Sequence, residues 1–290
     1  RPVTSTSRKV KAIWNILHNQ GKKSNVVGWW PSNPAEPING VMVSNLYQLA
    51  NKPVGEKWDL PDGTIHPKSM EEMLKEFRVH PQELTGNHLM PFIPNLKEMD
   101  AKKDKRIASV AKTLANAASI HAASTYLQRE TEWDFMAVYH DAIDHFCHLA
   151  MKFHPPQRPG IPDELFENYK NVVEAGYMFH DMMLERTLSM IDENTTVVIV
   201  SDHGFHSDNL RPKYLLKEPA APAQEHSPFG IICVKGPGIK KGEVIHGASV
   251  LDVTPTLLTL FGLPIGENME GKPLLQIFEK RRHFPERITL

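Results

Sequence analysis

Residues 196–206 read TVVIVSDHGFH. Four hydrophobic residues, Val197 to Val200, stand between Thr196 and Ser201. Such a run reads as a short strand covered on both faces. Asp202 and His203 follow at once, and Gly204 lets the chain turn away. In an open parallel α/β sheet, ligands bind just past the carboxyl ends of the strands. A carboxylate and an imidazole at such an end are both good zinc ligands. A charged pair placed directly after a buried strand is a poor choice unless a site uses it.

Strand and helix patterns alternate around this segment. SNVVGWW, WDFMAVYH (133–140), TVVIVS and FGIICVKG (229–236) read as strands. Residues 8–20 and 163–190 carry helical periodicity, and residues 69–130 look mostly helical, with an Ala-rich stretch around 108–124. PSNPAEPINGVMVS is rich in Pro and Gly and reads as loop, as do residues 51–68. SVLDVTPTLLTLFG (249–262) begins strand-like and continues as a helix, with Pro255 near its first turn. The alternation predicts an α/β fold with a largely parallel sheet flanked by helices. Residues 1–50 read as the N-terminal part of the core, 51–130 as a helical cap or insertion, and 131–290 as a metal-binding α/β core.

The bulk properties narrow the function. The chain has 290 residues, 41% of them hydrophobic, and a formal charge of -1. Its composition is that of a soluble globular protein, and no apolar run approaches the ~20 residues that span a bilayer. Near-neutral charge argues against broad nucleic-acid or membrane binding. Two cysteines, Cys147 and Cys233, make a disulfide framework improbable and leave the compartment open.

Three groups of metal-binding residue types flank three of these strands. Asp144 and His148 follow WDFMAVYH in D-x-x-x-H spacing, which places both on one face of a helical turn. Asp202 and His203 follow TVVIVS, and His226 lies in QEHSPFG just before FGIICVKG. Two carboxylates and three imidazoles would serve two divalent ions, with further oxygen ligands needed to complete the set. Each has a plainer reading: D-x-x-x-H is commonly a solvated local pair, and a loop histidine such as His226 often only packs. With fifteen histidines in the chain, His145, His154, His206 and His246 compete. His145 and His206 read as supporting or surface groups and His246 as solvent-facing. GPGIKKGE lacks the G-x-x-x-x-G-K-[ST] pattern of a phosphate loop and reads as a turn.

The order of D-x-x-x-H, strand-SDHGF, the histidine ahead of GPGIKKGE, and LDVTPTLLTLFGLPIGENMEG resembles the alkaline phosphatase superfamily. More narrowly, it resembles the type I phosphodiesterase/nucleotide pyrophosphatase branch. AIWNILHNQGKKSNVVGWWPSNPAEPINGVMVS is similar to the stretch that follows the nucleophile in bacterial members. The resemblance covers about residues 8–50 and 133–280. It implies two zinc ions, one on Asp202 and His203 and the other on Asp144, His148 and His226. It also implies a small phosphorylated or nucleotide-like substrate. Asp252, Pro255 and Thr256 belong to the motif and read as structural, Asp252 as a helix cap.

The same resemblance implies a first strand ending in a metal-binding Asp, then a Ser or Thr nucleophile before an HG turn, both upstream of residue 8. RPVTSTS offers hydroxyls at Thr4, Ser5, Thr6 and Ser7 but no HG turn, and reads as a linker. The expectation is therefore an N-terminally incomplete phosphodiesterase domain whose nucleophile is not assigned. A phosphomonoesterase, sulfatase or phosphonate hydrolase is the first alternative, since the superfamily shares its metal ligands across these reactions. A non-catalytic metal- or nucleotide-binding homologue is the second.

Overall fold

In the computed structural model, short apolar runs of the first half of the chain become the strands of a four-stranded sheet. The description covers residues 3–212, 215, 217–280 and 285–289, so Arg1 and Pro2 of the RPVTSTS stretch lie outside the described residues. After the helix α1 (Ile13–Asn19) come the strands β1 (Ser24–Val27), β2 (Gly40–Val43) and β3 (Ile65–His66). Two one-turn helices follow, α2 (Glu71–Leu74) and α3 (Gly86–Leu89), then the long helix α4 (Lys105–Glu130). Strand β4 (Phe135–Val138) leads into the helices α5 (Ala142–Ala150), α6 (Asp163–Tyr169) and α7 (Val172–Leu188). The sheet order is β3-β2-β1-β4, with β1 parallel to both β2 and β4 and β3 antiparallel at the edge. This is the mixed α/β architecture with a parallel-containing sheet that the alternation predicts.

Three readings need correction here. β2 lies within the stretch read as loop. Its Pro-rich approach hid a buried Val41-Met42-Val43 run that pairs with β1 in register. Residues 8–12 are not helical, because α1 starts at Ile13, where the Asn15 side chain accepts the Ala12 N–H at 2.9 Å and closes the helix start. Ser5 is not part of an open linker. It is buried in a short 3₁₀ turn, and its hydroxyl donates to the Pro34 carbonyl at 2.7 Å.

Helix α4 starts at Asp104, whose carboxylate accepts the Arg106 N–H at 3.0 Å. Its Ile120, Ala123 and Leu127 pack into one buried cluster with Val27, Val41, Val43, Tyr47, Ile65 and Leu74. The Tyr47 hydroxyl, deep in this cluster, donates to the Leu74 carbonyl at 2.6 Å, and burial pushes its pKa far up. Helices α5 and α7 approach closely at Gly176, where an added Cβ would stand 2.7 Å from the Phe146 ring. That approach seats α5, the helix that carries Asp144 and His148.

The chain divides into two units, one of residues 1–10 and 17–190 and one of residues 11–16 and 191–290. In the second, β5 (Val197–Val200) is followed by β6 (Gly204–Phe205), β7 (His226–Ser227) and β8 (Ile232–Lys235). Then come helix α8 (Val253–Leu260) and the short parallel pair β9 (Ile265–Gly266) and β10 (Arg287–Ile288). β5 is a strand as predicted but is not covered on both faces. Among the described residues it pairs antiparallel with β8 alone, and Ile199 and Val200 are 37% and 39% exposed. Residues 249–252 are a capped 3₁₀ turn rather than a strand start.

The second unit is held by small apolar clusters. Ile239, Leu274, Ile277 and Phe278 form one, and Ile16, Leu258 and Ile265 another. Asp252 works between segments. Its carboxylate accepts the Ser249 N–H at 2.9 Å and the Lys272 N–H at 2.7 Å. Thr256 adds a bond from the Leu274 N–H at 2.9 Å. The DVTPT motif thus ties the 271–274 segment to α8, and its Asp caps the preceding turn rather than α8 by side chain.

Candidate functional site

On α5, Ala142, Phe146, Cys147 and Ala150 form the buried stripe. Asp144 and His148 occupy the opposite face, one turn apart. His148 Nε2 and Asp144 Oδ1 lie 3.4 Å apart, with both side chains partly shielded. Two ligands about 2.0–2.1 Å from one tetrahedral zinc are about 3.3 Å apart, so the pair has the spacing of a shared ion as well as that of a simple charge pair. The same helix carries a second i,i+4 pair, His145 with Asp141 at 3.5 Å. Hydrogen bonding to Asp141 raises the His145 pKa. His145 is 57% exposed where His148 is 25% exposed. Asp141 was not singled out from the sequence, although the D-x-x-x-H spacing applies to it equally.

In the second unit, Gly230 decides how the chain passes the end of β5. An added Cβ there would stand 1.9 Å from the Ser201 carbonyl oxygen, so only glycine lets the 229–231 segment cross Ser201 and Asp202. The Ser201 hydroxyl donates to the His203 carbonyl at 2.5 Å. Asp202 Oδ1 lies 3.8 Å from His203 Nε2, and the Asp202 side chain is 75% exposed. His203 Nδ1 is 3.1 Å from the Gly204 carbonyl. A carbonyl only accepts, so Nδ1 carries the proton, and the lone pair of the neutral ring is on Nε2. In this tautomer Nε2 is the nitrogen that could bind a metal, with Nδ1–H held by a backbone carbonyl.

His226 arrives from a segment more than twenty residues downstream. The two-residue β6–β7 ladder pairs Phe205 with His226 and Gly204 with Ser227. It brings the His203 and His226 rings face to face, with centroids 3.7 Å apart and planes inclined by 8°. Phe205 packs edge-on against His226 at 4.8 Å. Imidazole nitrogen donates in the plane of its ring, so an ion in the plane of one of two stacked rings is out of the plane of the other. Parallel rings at this separation suit one ion each, and two-metal sites hold their ions about 3.5–4 Å apart.

Within the first unit, therefore, Asp144 and His148 come together, and within the second His203 lies near Asp202 and stacks on His226. His206 sits beside Asp208 at 3.5 Å, and His246 is exposed. Sequence reasoning passed over Arg211 and Glu225, a buried ion pair whose Glu225 immediately precedes His226 in the chain. Two isolated charged residues fourteen positions apart carry no local pattern. Cys147 and Cys233 form no disulfide. Among the described residues, no helix is long and apolar enough to cross a membrane.

Several known proteins are similar to this chain. Human arylsulfatase K is 31% identical over 110 residues, covering 38% of this chain and 20% of that protein. The extracellular sulfatase SULF-1 homolog of Drosophila melanogaster is 29% identical over 109 residues, 35% of this chain and 9% of that protein. The 2,3-bisphosphoglycerate-independent phosphoglycerate mutase of Aeromonas salmonicida is 50% identical over 36 residues, 12% of this chain and 7% of that protein. The chain thus spans about a fifth or less of the length of these curated relatives. No solved structure matches. The pattern that defines the type I phosphodiesterase / nucleotide pyrophosphatase family matches residues 3–226, which is most of the chain and includes all five candidate ligands. The chain belongs to that family, within the alkaline phosphatase superfamily.

Proposed function

We propose that the complete protein is a two-metal hydrolase of phosphodiester or pyrophosphate bonds in small nucleotide-like substrates. Zinc is the ion that best suits the mixed carboxylate and imidazole donors. Asp202 and His203 hold one ion, and Asp144, His148 and His226 the other. The observation that carries the reading is the parallel stack of His203 on His226, which supports one ion for each ring. The 3.4 Å approach of His148 to Asp144 supports a second shared ion, and the family match supports the reaction class.

When bound, the ions supply charge stabilisation at the phosphoryl oxygens and bring a bound water to a pKa near 7. The chain's own groups do the positioning. The Gly204 carbonyl keeps the proton on His203 Nδ1, which leaves the lone pair on Nε2. The α5 backbone keeps Asp144 and His148 on one helix face. No residue of this chain is assigned as nucleophile.

The sulfatases among the relatives favour one alternative, a sulfate ester as substrate. Turnover of bis(p-nitrophenyl) phosphate, p-nitrophenyl phosphate and p-nitrophenyl sulfate by the complete gene product separates the readings. The diester is expected to be hydrolysed fastest. Faster sulfate ester hydrolysis would overturn the phosphodiesterase reading, and bound metal with no turnover of any of the three would make the protein a binding homologue.

A further inference from the structure

The buried Arg211–Glu225 pair has no part in the ligand set, yet it stands next to it in the chain. The Arg211 side chain is 2% exposed and that of Glu225 9%. Taking two charges out of water is costly, and buried pairs are often replaceable by apolar residues with no loss of stability. Stability alone is therefore a weak reason for this pair, and its connections suggest another.

Glu225 ends the 3₁₀ turn Ala221–Glu225, and His226 is the residue that caps it. The Glu225 carboxylate takes the Arg211 guanidinium, while its backbone carbonyl accepts the His206 N–H at 3.0 Å. Arg211 is itself set by a turn, its N–H donating to the Asp208 carbonyl at 3.2 Å. The segment that leaves His203 and the segment that delivers His226 are thus joined twice beyond a ladder of only two residue pairs. Two-residue ladders are weak on their own. The His203–His226 stack spans this short hairpin, His226 being paired with Phe205 within it and His203 standing just before it.

We propose that Arg211 and Glu225 form a positioning clamp that fixes the His226 imidazole parallel to His203, and so sets the separation of the two metal positions. Neither residue touches metal or substrate. They act through the backbone on either side of the hairpin. The proposal rests on the two-metal reading for its consequence but on the hairpin for its geometry, and the two are tested apart.

The test is the double variant Arg211→Met/Glu225→Leu, which replaces the ion pair by apolar groups of similar size, compared with the single variant Glu225→Gln. The double variant is expected to keep the wild-type Tm within a few degrees and to bind its second zinc roughly 10–100-fold more weakly in chelator competition. The first zinc is expected to stay bound. Glu225→Gln, which keeps an acceptor for Arg211, is expected to recover most of that affinity. Unchanged affinity for both ions in the double variant would overturn the proposal. If the wild type binds no zinc, the two-metal reading fails, and the clamp is judged by the crystal structure of the double variant. Loss of the parallel His203–His226 stack supports it and a retained stack contradicts it. Should the double variant fail to fold, Arg211→Lys takes its place in both measurements.

Discussion

The first unit carries its candidate ligands on one helix, whereas the second draws its candidates from two segments. Asp144 and His148 are four residues apart on α5, so their 3.4 Å approach follows from helix geometry alone. His203 and His226 meet only because β6 pairs with β7 and Gly230 crosses Ser201. The first arrangement tolerates change around it as long as α5 forms. The second depends on every contact that closes the hairpin.

The largest effect is expected where ligands themselves are removed. Asp202→Ala or His203→Ala in the complete protein is expected to abolish hydrolysis of bis(p-nitrophenyl) phosphate and to reduce bound zinc. Wild-type zinc content in both variants would take these residues out of the site. A sharper form of the comparison uses the two close-approach glycines. Gly176→Ala forces the Phe146 ring to shift and is expected to lower the stability of the first unit by about 1–3 kcal/mol in denaturant unfolding. The α5 pair is expected to survive, so zinc content should stay unchanged. Gly230→Ala places a methyl against the Ser201 carbonyl oxygen, and its zinc content is expected to fall. Equal zinc retention in the two variants would erase the distinction between helix-borne and hairpin-borne ligands.

A smaller effect concerns pH and only the first unit. Burial pushes the pKa of His121 and of His180 down, with Arg186 adding to the effect at His121. The His180 Nδ1–H donates to the Gly176 carbonyl at 2.7 Å. Both rings are therefore held neutral in the folded state. Their contribution to stability is full above the unfolded pKa near 6.5 and is lost as pH falls towards the depressed folded values. Stability of the first unit is expected to decline below about pH 6.5, and the double variant His121→Gln/His180→Gln to flatten that decline. An unchanged acid limb in chemical denaturation would remove these histidines from the account.

Much of the fold was legible because its signals are local. WDFMAVYH and TVVIVS yield β4 and β5 inside the expected segments, and the helix after β4 carries D-x-x-x-H as its spacing requires. β2 was not legible, since Pro and Gly around residues 31–40 announce a loop and the strand is made by pairing with β1. The environment of β5 was misjudged for a related reason. Four apolar residues specify a strand but not how many partners cover it, and among the described residues β5 pairs with β8 alone. At the site, residue type and order suffice to propose Asp144, His148, Asp202, His203 and His226 as candidates. The ring stack, the His203 tautomer and the Arg211–Glu225 pair could not be read in this way, because each depends on groups brought together by tertiary contacts.

The central claim is that His203 and His226 serve different ions. Metal content per chain, measured by mass spectrometry on the purified complete protein and on His203→Ala and His226→Ala, tests it most directly. Two ions in the wild type and one in each variant are predicted. A single ion in the wild type that both variants lose would place both imidazoles on one centre and contradict the account.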